Sequence, residues 1–502
     1  MNVKVMLNRS QAELSTTILT LRSKFAKDFT TSLKLCEEKK KLETTRRRLL
    51  LKGTPVPKNI IINAKYPDYL QSYYTAGDLD QFLALSKIVS NSYDREVVIQ
   101  TFSYLFYKYK KAIYIRIRNN KVETFLPFTN ADYTNEWGIK LKQPPGFRNI
   151  PEFLEYVNKL ENRYFDVKRI QPSPSKWYAN NCLFRYEKPF VEDDTSIALL
   201  HNMVTEVCAN EKVKDSEFFI HKRDFPVRRL DGTESYESIF GKGVKLLSHD
   251  YKKYSNILCF CTSAEHADLN IPTWEDWCVA SQAEKKYFTD SCRLYDMTVA
   301  QGIDWNDKLP TAVWRGSTTG CGVTPETNPR LKLVCMSSTN TVDEDGKLFL
   351  DAGITKWNLR PRAVDGVLQT IPVDKPPLDM IYNNGRIANR LDINEQARYK
   401  YIINVDGHVS AFRLTYELAT NSVILLADDS MYYTWYRKSL IPWIHYVPIK
   451  SDLSDLYEKI RWCKGHDLEC HTIAENALEF YKKYLNKSYM MFYFATLLNS
   501  LV

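Results

Sequence analysis

Between residues 398 and 448, apolar and polar positions alternate in two distinct rhythms. Tyr401-Ile-Ile-Asn-Val405 is a short, nearly continuous apolar run closed by Asp406-Gly407, the pattern of a strand buried on both faces. After a small-residue turn, Ser410 stands where a helix N-cap would. Phe412, Leu414 and Leu418 then recur at helical spacing, with Arg413 in the first turn. Asn421 is the expected stop, and Ser422-Val-Ile-Leu-Leu426 reads as a second buried strand. Strand, helix and strand make a βαβ unit, whose crossover is right-handed and whose strands run parallel. Its helix would start at the carboxyl end of the first strand, where open α/β sheets take ligands and where orphan N–H groups favour an anion. Arg413 either adds a bidentate donor to a diphosphate seat there or serves a structural role.

Elsewhere the patterns are simpler. Leu14, Ile18, Leu21, Phe25, Phe29, Leu33 and Cys36 trace one face of a long helix over residues 10–52, ended by Gly53 and Pro55. Lys39, Lys40, Lys41, Arg46, Arg47 and Arg48 crowd its last turns, as a solvated face or as a phosphate- or membrane-surface patch. A small α+β module follows, with a helix from Asp78 and a hairpin of residues 112–118 and 122–126 about Asn119-Asn120. Its role stays open among adaptor, oligomer contact and acceptor docking. An α/β stretch then has a helix over 195–208 and strands at 217–221 and 256–260. Lys222-Arg223-Asp224 leaves the first of these strands. A second α/β stretch opens with a strand at 311–316, which runs into Ser317-Thr-Thr-Gly-Cys-Gly322, whose glycines let backbone N–H groups approach an anion. Pro329 starts a helix with Arg330 in its first turn, and residues 348–350 read as a strand ending in Asp351. Residues 453–485 are helical in pattern. The expected division is 1–53 (long helix), 54–175 (α+β module), 176–300 and 301–487 (α/β domains) and 488–502 (tail).

Composition narrows the function only a little. Of 502 residues, 44% are hydrophobic and 26% charged, ordinary for a globular protein, and the 13% aromatic share suits sugar stacking or packing equally. A net charge of +9 permits nucleotide sugars, nucleic acid or anionic lipid as partners without choosing among them. There is no GxxxxGK[ST] loop, which counts against an ATPase. Met1 to Ser15 lacks the apolar core of a secretory signal, and no window approaches the ~20 apolar residues of a membrane span. The 11 cysteines form no CxxC pair and read as free thiols of a reducing compartment, with Cys259 and Cys261 as core residues. Metal sites find little support. Gly346 makes Asp343-Glu-Asp345 a turn, Asp428-Asp429 reads as a loop cap, and Cys463, His466, Cys470 and His471 lack finger spacing.

Several motifs fall in one order. They are His221-Lys-Arg-Asp-Phe-Pro226, Trp314-Arg-Gly-Ser317, Pro329-Arg330, Leu350-Asp-Ala-Gly-Ile-Thr355, the βαβ unit, Trp435-Tyr436, and Leu440-Ile-Pro-Trp-Ile-His-Tyr-Val-Pro448. Over about half the chain this set resembles glycosyltransferase family 90, the CAP10-like and protein O-glucosyltransferase group, which has members in large DNA viruses. The resemblance implies a GT-B arrangement, two Rossmann-like domains facing a cleft. It also implies transfer of glucose or xylose from a UDP-sugar to a hydroxyl on a protein or glycan, with inversion and without metal or other cofactor. Asp224 matches the family's general base; the alternative is a carboxylate paired with Arg223 or Arg228. Ser317, Arg330 and Arg413 match its diphosphate contacts. Asp351 matches a strand-end Asp by the nucleoside, or else caps a loop. Trp443, His445 and Tyr446 read as packing beside the site. The loop after Ser317 is longer than the family's and the N-terminal ~175 residues are additional, so a virion-associated or structural protein keeping the fold without the reaction is the alternative. Family members that modify secreted proteins work in the endoplasmic reticulum, but the lack of a signal or retention tail leads to the expectation of a cytoplasmic setting, in the host cell or the virion, with virion or membrane-surface components as further partners through the N-terminal helix and no nucleic acid.

Overall fold

Two large sheets carry the chain. The computed structural model describes residues 111–130, 176–179, 182–185, 195–230, 254–281, 300–339, 348–359, 362–364, 367–383 and 387–501, with isolated positions between 97 and 109 and at 342 and 346. The long helix expected over residues 10–52, the helix expected from Asp78, and Asp343-Glu-Asp345 lie outside these residues.

The first sheet begins with the expected hairpin. β1 (Lys111–Arg118) and β2 (Lys121–Asn130) run antiparallel about Asn119 and Asn120, whose φ values of 51° and 58° are the left-handed pair a tight two-residue hairpin requires. Asparagine tolerates that region better than other non-glycine residues. β3 (Lys176–Ala179), β4 (Cys182–Arg185), β5 (Ser216–Ile220), β6 (Asn256–Cys259) and β8 (Leu269–Asn270) complete the sheet in the order β3-β4-β2-β1-β5-β6-β8. Because β1 pairs directly with β5, the hairpin is not part of a separate module ending at residue 175; it widens the sheet of the first α/β unit. Ile113, Ile115 and Ile117 supply the reason, since their buried face packs with α1 (Thr195–Asn210) in one core. α2 (Trp274–Ser281) lies against α1.

The second sheet has five strands, all paired in parallel, in the order β10-β9-β13-β14-β16. They are β9 (Leu309–Ser317), β10 (Leu350–Lys356), β13 (Tyr399–Asn404), β14 (Val423–Ala427) and β16 (Val447–Ile449). Alternate residues fill two cores: Val313, Ile402, Ile424 and Leu426 join the cluster shared with the first sheet, and Tyr401, Ile403, Val423 and Leu425 join a second one. A sheet buried on both faces needs such unbroken apolar runs. α3 (Pro329–Thr339) crosses between β9 and β10. The hairpin β11 (Arg362–Val364) and β12 (Val367–Gln369), then α4 (Leu378–Asn383) and α5 (Ile393–Gln396), lead from β10 to β13. The short strands β7 (Thr262–Ser263) and β15 (Tyr432–Tyr433) pair across the two units.

Three expectations are corrected. The helix of the βαβ unit is one turn, α6 (Leu414–Glu417), with Arg413 at its N-cap and Ser410 outside it. Asp406 accepts the backbone N–H of Ala411 at 2.9 Å, which holds the preceding residues in a loop and leaves no helix to extend backward. β10 begins at Leu350 rather than ending at Asp351, because Leu348 leaves the ladder to bridge Val342. The helical terminal stretch is α7 (Leu456–Gly465) and α8 (Asp467–Tyr484), and the segment after it is a further helix, α9 (Lys487–Ser500). α9 buries Phe494, Leu497 and Leu498 in the first core and fixes its ends through Lys487–Glu206 and Asn499–Lys214. α6 ends at Glu417 with Leu418 as its C-cap, short of the expected stop at Asn421, and Asn421, at φ 53°, turns the chain into β14.

Candidate active site

Parallel strands bring the loops after β9 and β13 together at one end of the second sheet. Arg330, from the first turn of α3, lies buried between them. Its Nε donates to the Asp406 carbonyl (3.0 Å), Nη1 to the Ser317 carbonyl (3.2 Å) and the Thr319 hydroxyl (2.6 Å), and Nη2 to the Val405 carbonyl (3.1 Å). This guanidinium therefore pins both loops. Burial first, and then the neighbouring Arg413, lower its pKa to about 9, so it stays a cation at neutral pH with no carboxylate within salt-bridge distance among the described residues. The glycine-rich loop is held in the same way. Asn328 donates to the Gly322 carbonyl (3.1 Å), and Gly322 lies so close to Thr327 that a Cβ there would be 2.2 Å from the Thr327 oxygen. Close approach of backbone to backbone thus accounts for this glycine.

Arg413 is differently placed. Its side chain is 28% exposed; Nη1 donates to the Arg315 carbonyl, Nε stands 4.0 Å from Glu417 Oε1, and Nη2 has no hydrogen bond among the described residues. Both guanidinium carbons lie over the buried Trp314 ring, at 5.8 Å for Arg330 and 5.9 Å for Arg413. Gly316 makes the approach possible, since a Cβ there would be 2.6 Å from Trp314 Cζ2 and 2.9 Å from Arg413 Nη2. The partly exposed Ser317 hydroxyl also has no hydrogen bond among the described residues. Behind Arg413 sits Glu417, buried, accepting from Asn404 Nδ2 at 2.6 Å, with its pKa raised to about 7 by burial against the opposing pull of Arg413.

Asp224 is exposed on the loop after β5. Its carbonyl accepts from the Cys261 thiol at 2.8 Å, and Cys261 packs with Val409, Phe225, Phe412 and Tyr432. Burial chiefly, then Asp224 and Asp406, push the Cys261 thiol up, so these two carboxylates flank one residue. The Asp224 segment therefore rests on the same loop that leads from Asp406 to Arg413. Glu275, in the first turn of α2, is raised to about 7 by burial, Asp276 and Asp224. Arg223 donates to the Tyr109 carbonyl (2.9 Å) and Arg228 lies over the Tyr254 ring (3.5 Å). Asp276 ties the two sheets together, accepting from Thr415 (2.6 Å) and Trp435 (2.9 Å).

Of the residues chosen from sequence, Ser317, Arg330 and Arg413 are gathered at this mouth and Asp224 stands on the adjoining segment. Asp351 is not with them. It pairs across β9 with Val313, four residues or ~13 Å before Ser317, and its carboxylate binds Arg315 at 2.8 Å. His445 accepts the Ile441 N–H at 2.9 Å and Tyr446 bonds Asp428, so both are scaffold beside the site. Asp429 accepts from Ser451 N at 2.7 Å, Cys470 bonds the Cys463 carbonyl (3.5 Å), and His466 contacts the Trp462 carbonyl (2.8 Å). Sequence reading passed over Glu417 although it stands four residues after Arg413, a spacing that pairs opposite charges on a helix. It also left Asp406 as a turn residue and did not use Thr319.

Parallel strands that end in a basic pocket are the α/β setting in which phosphorylated ligands are held. The chain belongs to glycosyl transferase family 90, whose sequence profile matches residues 184–501. It is 36% identical over 485 residues to uncharacterized protein 035R of Invertebrate iridescent virus 3, covering 88% of this chain and 42% of that one. To uncharacterized protein 179R of Invertebrate iridescent virus 6 it is 39% identical over 442 residues, 80% of this chain and 36% of that one. To protein O-glucosyltransferase 2 of Danio rerio it is 29% identical over 277 residues, 55% of this chain and 44% of that one. The chain thus spans less than half the length of each of these relatives. No helix among the described residues is long and apolar enough to cross a membrane.

Proposed function

We propose that this chain transfers a sugar, glucose or xylose, from a UDP-sugar to a hydroxyl of a protein or glycan, in a GT-B cleft between its two α/β units. The observation that carries this reading is the part-exposed Arg413 guanidinium at the sheet mouth, whose Nη2 has no hydrogen bond among the described residues, on the loop against which the Asp224 segment packs. In the proposed reaction Asp224 takes the acceptor proton as the oxygen attacks the anomeric carbon, giving inversion. The bond from that carbon to the diphosphate breaks, and Arg413 balances the departing charge with Ser317 as a further donor. Arg330 contributes its field and the loop geometry, its own donors being spent on carbonyls. Asp351, paired with Arg315, has no part in this scheme. The free thiols Cys208, Cys259, Cys261, Cys278, Cys321, Cys335, Cys463 and Cys470 support a reducing setting such as the cytoplasm, and the two iridescent-virus relatives support a viral one.

Calorimetry with UDP, followed by a panel of nucleotide sugars assayed for hydrolysis and transfer, tests the proposal. UDP binding with turnover of one sugar nucleotide is the expected result. Absence of UDP binding at millimolar concentration overturns it and leaves a fold kept without the reaction.

A further inference from the structure

The anion seat already contains an anion of its own. Glu417 follows Arg413 by one helical turn, is 1% exposed, and points Oε1 at Arg413 Nε across 4.0 Å without a hydrogen bond to that oxygen. Its other oxygen has a single donor, Asn404 Nδ2. The charged and titratable groups around it are Arg413 on its own turn, Arg330 from α3, and the Tyr436 hydroxyl, which is itself bonded to Thr415. Asp406 lies beyond Arg330 and is better supported, with the Ser430 hydroxyl and the Ala411 N–H both donating to it. With Glu417 charged, as above neutral pH, Arg330 and Arg413 thus face Glu417 and Asp406, and Arg437, which also acts on Asp406, is itself balanced by Asp428. A diphosphate brought onto Arg413 adds two negative charges to a buried cluster that was balanced without them.

We propose that Glu417 gives up its charge when the seat fills: the diphosphate of the donor binds to Arg413 together with one proton, taken from solvent onto the Glu417 carboxyl. The inference rests on the reading that Arg413 holds the donor diphosphate. No covalent step is involved; one buffer proton neutralises one carboxylate, and Arg413 exchanges a poorly oriented internal partner for the ligand. Of the two acids, Glu417 yields first because one of its oxygens has no donor to lose, whereas charged Asp406 is held by two. Burial has already raised Glu417 to about 7, so a further rise on binding falls in the neutral range. Glu417 is therefore a positioning residue that acts through Arg413, and it makes donor affinity depend on pH.

The probe is UDP-glucose, whose doubly esterified diphosphate does not titrate near neutrality, so any proton taken up belongs to the protein. Titration calorimetry at about pH 7.5 in HEPES and in Tris reads the uptake from the difference in buffer ionisation heats. Uptake of up to about three-quarters of a proton per site is expected, because roughly a quarter of Glu417 is already protonated at that pH. Affinity should rise on acidification by about tenfold for each unit by which the ligand raises the Glu417 pKa. Glu417→Gln should bind with no uptake and with an affinity flat across neutral pH. Asn404→Ala, which removes the donor supporting the charged carboxylate, should move the uptake to higher pH, and it serves if the glutamine variant does not fold. Binding by the wild type without uptake, or uptake that neither substitution changes, overturns the proposal alone. Absence of UDP-glucose binding overturns the donor reading beneath it.

Discussion

Arginines 330 and 413 stand over the same tryptophan, yet their removal should fail in opposite ways. Arg413→Ala deletes a side chain that is 28% exposed and gives up the Arg315 carbonyl together with the 4.0 Å pairing to buried Glu417, which is then driven to take a proton. Losing the carbonyl bond costs about 1 kcal/mol of stability, while losing a charge-assisted contact to a phosphate costs about 1.5–3 kcal/mol of binding. The second figure is a roughly 10- to 150-fold rise in the Kd for UDP, with a smaller fall in melting temperature than Arg330→Ala produces. Arg330→Ala removes four hydrogen bonds at once and strands the buried carbonyl of Val405 and the part-buried carbonyls of Ser317 and Asp406. Water and loop relaxation recover part of that, so the net loss is roughly 3–5 kcal/mol of stability. Melting should then fall by several degrees before any ligand is added. Differential scanning fluorimetry and calorimetry with UDP separate the two. An Arg413→Ala protein with wild-type UDP affinity, or an Arg330→Ala protein that melts with the wild type, would refute the division of labour between them.

Asp224→Asn keeps the shape of the carboxylate and removes its basicity; transfer should drop by about a hundredfold or more while UDP affinity, measured by calorimetry, stays within error. Gly316→Ala would set a methyl 2.6 Å from Trp314 and 2.9 Å from Arg413 Nη2, so it should cost about 1–3 kcal/mol and weaken UDP binding together, both read in one thermal-shift titration. Glu417 gives a stability slope with a definite sign. Its folded-state pKa of about 7 exceeds the ordinary 4.5, so the folded protein holds the extra proton between those values and stability falls as pH rises through that window. The loss is roughly 3 kcal/mol at most, and Glu417→Gln should flatten that part of the curve in urea titrations.

What the sequence disclosed and what it hid divide along a physical line. Tyr401 to Val405 and Val423 to Leu426 were legible because a strand buried on both faces must be apolar throughout, and no partner needs to be known to see it. The Asn119-Asn120 turn was legible for a similarly local reason, two left-handed positions that few residues tolerate. Errors arose where a distant group decides the outcome. The apolar spacing of Phe412, Leu414 and Leu418 matched a helix, but Asp406 captures the Ala411 N–H and only one turn forms. Leu348 and Leu350 looked alike, yet Leu348 bridges Val342 and the ladder starts two residues later, which puts Asp351 near the start of the edge strand β10 instead of at a strand end, paired with Arg315. The hairpin was seen but its neighbour was not, because β5 lies about a hundred residues further along the chain.

The same division runs through the site. Guanidiniums at a sheet mouth could be picked from spacing, since an Arg near the end of a parallel strand has few places to go. Which of them is free could not, because that depends on counting carbonyls that converge only in three dimensions. Arg330 meets three such carbonyls and a threonine hydroxyl, and Arg413 meets one carbonyl and a carboxylate without good geometry. A buried cation whose three nitrogens all donate within the protein fixes shape and potential, and one with an idle Nη2 has a donor to offer a ligand. Arg413 has the idle donor, and Glu417 behind it supplies an internal charge that an incoming diphosphate must displace or neutralise. On the proposed function, the strength and pH dependence of anion binding here follow from a pair four residues apart on a single turn of helix, held to the rest of the site by Trp314 and Asn404.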